Sequence, residues 1–178
     1  MASFAALTLL IGGARSGKSS MAVEFGRRHN GPVTVIATLV PDDDALVARV
    51  TRHRAERPDW PTIEAPHDVV GALGRAEGLA IVDCLTLWVS NLMLRGDDDE
   101  AIDNAAVLAA DAAAQRGEPT VVISNEVGLG VHPETELGLR YRDVIGRVNQ
   151  RFATRAETSL LLVAGRALPL KDPWSLLA

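Results

Sequence analysis

Residues 7–19 read LTLLIGGARSGKS, and this stretch decides the fold. An apolar, β-branched run enters a pair of glycines. The glycines open the pattern Gly12-Gly13-Ala14-Arg15-Ser16-Gly17-Lys18-Ser19, which matches G-x-x-x-x-G-K-[ST] at every fixed position. Glycine permits backbone conformations barred to other residues. The N–H groups of such a loop can therefore converge on phosphate oxygens, beside the positive end of the helix that follows. In this pattern the lysine, Lys18, reaches the β- and γ-phosphates, and the Ser19 hydroxyl is placed for Mg2+. A loop that closes a strand and opens a helix has the context this chemistry requires.

The rest of the chain repeats the strand-then-helix theme. Apolar runs at 33–37, 79–82, 120–124 and 159–164 predict four further strands. Helices are predicted over 18–29, 43–56, 67–76, 86–95, 101–116 and 136–156. The strand runs are continuously apolar rather than alternating, the pattern of strands buried on both faces of a parallel sheet. The expected fold is therefore α/β: one three-layer P-loop nucleotide-binding domain over residues 1–178, with a mostly parallel central sheet. The tail after Gly165, with Pro169 and Pro173, is expected to be irregular or an edge element. The acidic run at 97–100 is expected in a solvated loop leading into the next helix, where acids favour the helix N-terminus.

Composition narrows the function classes. The 178 residues carry a net charge of −5, with 47% hydrophobic and 4% aromatic residues. That balance excludes disorder, and an acidic chain is a poor general binder of nucleic acid. The single cysteine, Cys84, excludes an intrachain disulfide framework and points to the cytoplasm. The apolar stretch at 4–11 is far short of the ~20 residues that span a bilayer.

Further candidate residues lie at predicted strand ends and on one helix. Asp83 ends the run 79–82, where a carboxylate can serve the Mg2+ side of a phosphate site or cap the next helix. Cys84 beside it reads as a small packed residue. Glu126, after the run 120–124, is either functional or a loop carboxylate. In DDDALVARVTRHRAERP at 42–58, Arg49, His53 and Arg57 recur at i, i+4 and i+8 and share a helix face. Neutral imidazole is a nucleophile near pH 7. Neighbouring guanidiniums lower its pKa and clamp phosphate oxygens, so His53 could carry a transferred phosphoryl or nucleotidyl group. A solvated charged helix is the plainer alternative. His29 and His67 read as helix-end residues, and His132 lies in the glycine-rich VGLGVHP.

Taken together, IGGARSGKSS at 11–20, VIAT at 35–38, the His-Arg segment at 42–58, IVDCLTLWVSNLM at 81–93, ISNEVGLGVHPE at 123–134 and YRDVIGRVNQ at 141–150 are distinctive. Through them the chain resembles the bifunctional adenosylcobinamide kinase/adenosylcobinamide-phosphate guanylyltransferase family of cobalamin biosynthesis, over nearly its whole length. The resemblance implies a P-loop α/β fold and homotrimers. It also implies two reactions: phosphorylation of adenosylcobinamide by ATP or GTP, then transfer of GMP from GTP to adenosylcobinamide phosphate. The matching position for a guanylylated histidine is His53. The implied GTP contacts fall on residues 12–19, Ala37, Thr38, Leu39, Arg54, Ala55, Glu56, Arg57, Glu64 and Asp83. Leu39 departs from the small or polar residue more usual there. Two other readings stay open: a monofunctional small-molecule kinase, and a nucleotide-switch GTPase. The switch is disfavoured because no N-K-x-D occurs, residues 125–128 being Asn-Glu-Val-Gly. One domain of this size has little room to enclose both a nucleotide and a corrinoid, so the acceptor is expected in an open groove.

Overall fold

A computed structural model describes residues 4–39 and 57–177. The predicted helix at 43–56, with Arg49, His53, Arg54, Ala55 and Glu56, lies outside them. In chain order the elements are β1 (Leu7–Gly12), α1 (Lys18–Arg28), β2 (Val33–Ala37), β3 (Thr62–Glu64), α2 (Val69–Arg75), β4 (Leu79–Asp83), α3 (Leu85–Arg95), α4 (Asp99–Gln115), β5 (Thr120–Asn125), α5 (Glu136–Arg155), β6 (Thr158–Val163) and β7 (Arg166–Leu170). A 3-10 turn, Pro173–Leu176, follows.

The strands form one sheet in the order β3-β2-β4-β5-β1-β6-β7. Every pairing is parallel except β6 with β7. Successive strand side chains face opposite ways, and the apolar runs divide accordingly. Leu7, Leu9, Ile36, Ala80, Val82 and Val122 pack with α2, α3, α4 and α5 on one face. Leu10, Val33, Val35, Leu79, Ile81, Val121 and Ile123 meet Ala22 and Phe25 of α1, together with Trp60, on the other. This double burial is why the runs are unbroken. Trp60 packs so closely on α1 that a Cβ added at Gly26 would lie 2.3 Å from its ring.

Two elements depart from the sequence expectation, and the tail takes one of its two expected forms. The three-residue strand β3 was not foreseen, because its order comes from pairing with β2 (Val35 with Thr62, Ala37 with Glu64) rather than from an apolar run. The tail resolves into the edge alternative. Ala164 and Gly165 take positive φ (50° and 73°), the geometry of a two-residue hairpin turn, and Pro169 sits where an edge strand tolerates it. The acidic run is divided, with Asp97 and Asp98 in the loop and Asp99 and Glu100 already helical. Asp98 caps α4 by accepting from the Ala101 N–H at 2.8 Å, while Asp99 and Glu100 form the first turn.

Helices α4 and α5 are laced by ion pairs running in the same direction along both. Arg140 and Arg147 reach Asp99 at 2.7 and 2.6 Å, Arg151 reaches Asp103 at 2.8 Å, and Arg155 reaches Asp111. The hydrogen bond from Arg140, with Arg147 assisting, holds the Asp99 carboxyl below its ordinary pKa. A depressed carboxyl contributes stability above its unfolded pKa and loses it as pH falls through the folded one. Exposed pairs contribute at most about 1 kcal/mol each. Asp99→Asn should therefore lower the thermal midpoint at pH 7 by a few degrees. The gap from the wild type should close once both proteins are melted well below the carboxylate range; an equal gap at both pH values would refute the charge pairing. Among the described residues no helix is long and apolar enough to cross a membrane.

Candidate active site

The carboxyl ends of the parallel strands form one edge, the side on which open α/β sheets bind ligands. Register places Glu64, Ala37 and Asp83 in neighbouring positions on β3, β2 and β4, and Asn125, Gly12 and Leu162 in neighbouring positions on β5, β1 and β6.

The phosphate loop springs from Gly12. A Cβ there would stand 2.4 Å from the Leu162 carbonyl oxygen and 2.9 Å from Ser16 Oγ. The Gly12 carbonyl accepts from the Glu126 N–H at 3.2 Å, and the Ser16 carbonyl accepts from the Gly165 N–H at 2.9 Å. Both flanking loops thus grip the phosphate loop. Gly17 has φ 102° and opens α1. Gly13, Ala14 and Arg15 lie at the exposed tip. Lys18 is buried and turns back into the loop. Its Nζ donates to the carbonyls of Gly12 (2.8 Å) and Gly13 (2.7 Å) and to Ser16 Oγ (3.3 Å). Burial lowers its pKa, while the charges of Cys84 and Asp83 oppose the shift. Ser19 is half-buried in the first turn of α1.

Asp83 is half-buried at the end of β4. Cys84, not Asp83, is the N-cap residue of α3, and no side chain caps it. Burial pushes the Cys84 thiol up, and the nearby Asp83 charge adds to this, so Cys84 is a packed residue rather than a nucleophile. Thr38 is fully buried and braces this strand end. Its hydroxyl accepts from the Cys84 N–H and donates to the Cys84 carbonyl, both at 2.8 Å. Its carbonyl accepts from Asn91 Nδ2 at 2.7 Å. The Thr38 side chain is thus committed to the fold, and only Ala37 and Leu39 beside it are half-exposed.

A second recess lies at the β3 end of the edge. Arg57, Pro58, Asp59, Trp60, Pro61, Thr62 and Glu64 line a cleft of about 600 Å³. Arg57 Nη2 donates to Thr62 Oγ1 at 2.8 Å. Four strand spacings separate β3 from β1, roughly 19 Å at ~4.8 Å each. The structure spreads the sequence-derived nucleotide residues along this edge, from the phosphate loop through Asp83 and Ala37 to Glu64 in the cleft.

The Glu126 carboxylate accepts from the Gly128 N–H at 2.7 Å and shapes its own loop. The three described histidines are spread apart. His29 closes α1 and meets Phe4 edge-on at 5.7 Å. His67 lends its carbonyl to Trp88 Nε1, and His132 is exposed. Among the described residues no group of three or more His, Cys, Asp or Glu side chains could hold a metal ion.

The family model for cobinamide kinase / cobinamide phosphate guanyltransferase matches residues 8–170. The chain belongs to this family. It is 39% identical over 168 residues to the bifunctional adenosylcobalamin biosynthesis protein CobP of Pseudomonas aeruginosa, covering 92% of this chain and 96% of that one. It is 36% identical over 181 residues to the bifunctional adenosylcobalamin biosynthesis protein CobU of Escherichia coli, covering 93% and 99%. Among solved structures, a prototypical ATPase from the type III secretion system of pathogenic bacteria shares the fold at a TM-score of 0.52 with 11% identity. That match covers 88% of this chain and 51% of the ATPase. The fold is thus the α/β arrangement expected from residues 7–19.

Sequence reasoning missed three positions that shape this cobinamide kinase/guanyltransferase site. Asn149 accepts from Ser124 Oγ at 2.5 Å and donates to the Asn125 carbonyl at 3.0 Å, fixing the end of β5. Asn91 ties Thr38 to Pro66. Gly165 braces the phosphate loop, and only the Ala-Gly dipeptide between two apolar runs signalled a turn there. Gly17→Ala should cut nucleotide affinity tenfold or more with the fold retained. Positive φ disfavours a side chain there, and the new Cβ would lie 3.1 Å from Gly165 Cα. Titration with a fluorescent nucleotide analogue checks this; wild-type affinity would contradict the loop geometry.

Proposed function

We propose that the chain is a transferase acting twice on one acceptor. It phosphorylates adenosylcobinamide with ATP or GTP, then transfers GMP from GTP to adenosylcobinamide phosphate, giving adenosylcobinamide-GDP and pyrophosphate. The observation that carries this reading is the complete phosphate loop with Lys18, two strands from Asp83, in a chain matched from residue 8 to 170 by the cobinamide kinase/guanyltransferase family.

In the first transfer the acceptor hydroxyl oxygen attacks the γ-phosphorus and releases its proton to solvent, the bond to the β-phosphate oxygen breaks, and the nucleoside diphosphate leaves. Phosphate-loop N–H groups and Lys18 bind the charge that shifts onto the leaving group. For Lys18 this means exchanging its bonds to Gly12 and Gly13 for bonds to phosphate.

In the second transfer an imidazole nitrogen of His53 attacks the α-phosphorus of GTP and pyrophosphate departs. An oxygen of adenosylcobinamide phosphate then attacks the same phosphorus and breaks the P–N bond, freeing His53. Covalent catalysis of this kind splits one displacement into two. Arg54 and Arg57 offset charge as it moves. Glu64, in the cleft with Arg57, lies far from the phosphate loop and suits the nucleoside end of the guanosine nucleotide, with Ala37, Leu39, Ala55 and Glu56 as neighbours in sequence or register.

The Ser19 hydroxyl and Asp83 carboxylate are hard oxygen donors. They fit Mg2+, which takes one or two protein oxygens plus substrate phosphates rather than an all-protein cage. When bound, Mg2+ neutralises phosphate charge.

Val163, Leu168, Leu170, Trp174, Leu176 and Leu177 are all exposed on β6, β7 and the 3-10 turn. Apolar patches of this kind mark protein contacts, which supports the homotrimer implied by the family. A cytoplasmic location suits a lone reduced thiol.

GTP labelled at the α-phosphate should give an acid-labile, base-stable protein adduct in the wild type and none in His53→Ala. A label surviving in that variant would sink the assignment, and a wild type that phosphorylates the acceptor without ever forming the adduct would favour the monofunctional kinase. Lys18→Ala should lower the kinase kcat/KM by a thousandfold or more, as measured with adenosylcobinamide and ATP.

A further inference from the structure

The loop between β5 and α5 offers a surface that the nucleotide chemistry leaves unused. It starts on the phosphate loop itself, where the Glu126 N–H donates to the Gly12 carbonyl at 3.2 Å. Two internal bonds then hold it: the Gly128 N–H to Glu126 Oε1 at 2.7 Å, and the Gly130 N–H to the Val127 carbonyl at 3.2 Å. Val127 packs against the core, and residues 128–132 after it are exposed. Leu129 is 83% exposed and Val131 95%. Single exposed aliphatics are commonplace. Two within three residues, on a loop hydrogen-bonded to a phosphate site, form a patch of the kind that serves binding.

The chemistry of the patch selects its occupant. Residues 126–134 contain no lysine or arginine and two glutamates, Glu126 and Glu134, so the loop repels a polyphosphate. Leu129 and Val131 lie three and five residues from Glu126, within about 11 and 18 Å of the phosphate loop's edge even if extended. An acceptor whose reacting arm enters the transfer site would have its bulk within reach of this loop. A corrinoid has a broad apolar rim of methyl groups interrupted by neutral amides. It can cover aliphatic side chains while the loop's exposed backbone polar groups meet the amides.

We propose that residues 128–131, with Leu129 and Val131 as the contact side chains, form the platform on which the corrinoid macrocycle docks in both transfers. This rests on the functional reading above and adds the acceptor's binding surface to it. Because one platform serves both reactions, its loss should raise the acceptor KM in both, leaving kcat at saturating acceptor and nucleotide affinity nearly unchanged.

The test is the double variant Leu129→Ser/Val131→Ser in the full chain. The expected result is a tenfold or greater rise in KM for adenosylcobinamide in the kinase assay and for adenosylcobinamide phosphate in the GMP-transfer assay. Binding of a fluorescent nucleotide analogue without acceptor should stay at wild-type strength, and Leu129→Ile/Val131→Leu should keep wild-type KM. An unchanged acceptor KM overturns the proposal, including the case in which the variant's oligomeric mass falls and the patch proves to be a contact between copies of the chain. Loss of nucleotide binding in the serine variant overturns it too, because the loop would then be structural. If the wild type catalyses neither transfer, the functional reading fails by itself. Equilibrium dialysis of adenosylcobinamide against wild type and variant still decides the platform: weaker binding to the variant supports it, and equal or absent binding overturns it.

Discussion

The candidate site depends on the way β1 ends. Gly12 lies against the carbonyl of Leu162 on one side and pairs with Asn125 on the other. Its own carbonyl collects the Glu126 N–H and the Lys18 ammonium. A side chain at this point would strike a backbone oxygen, which has nowhere to move without breaking β6 from β1. The phosphate loop, the loop carrying Leu129 and the β6–β7 turn are therefore fixed relative to one another by a residue with no side chain. Close packing makes such a constraint stiff.

Much of this was legible in the sequence because the controlling signals are local. Unbroken apolar runs report strands buried on both faces, and all five lie where they were expected. The phosphate loop is legible because each position has a separate physical reason for its residue type. What escaped was set by partners distant in sequence. Strand β3 exists because Val35 and Ala37 offer it a ladder. Asn149 and Asn91 look like ordinary polar helix residues until β5 and β2 arrive beside them. Thr38 sits among the implied nucleotide contacts in sequence, yet its hydroxyl is spent on the Cys84 backbone. The spread from phosphate loop to cleft was also illegible, since strand order decides it and a linear sequence does not display strand order. His53, the residue on which the guanylyl reading turns, was legible only as a histidine among arginines and as a family match.

The net charge of −5 does not bar a phosphate site. Asp97, Asp99, Asp103 and Asp111 are matched by arginines on α3 and α5, on the face of the sheet that carries α2 to α5. The phosphate loop is served instead by backbone N–H groups and one buried lysine. An acidic protein can thus hold a polyanion, because long-range charge is screened over about 10 Å at moderate salt.

Lys18 gives the last point. Its ammonium has three acceptors within the loop, so gripping a phosphate means surrendering bonds of similar kind. Nucleotide affinity is then a difference between two sets of contacts rather than the full strength of one. A protein that must discard a diphosphate or a pyrophosphate at the end of every cycle benefits from that difference, because the spent product competes for the lysine against the protein's own backbone.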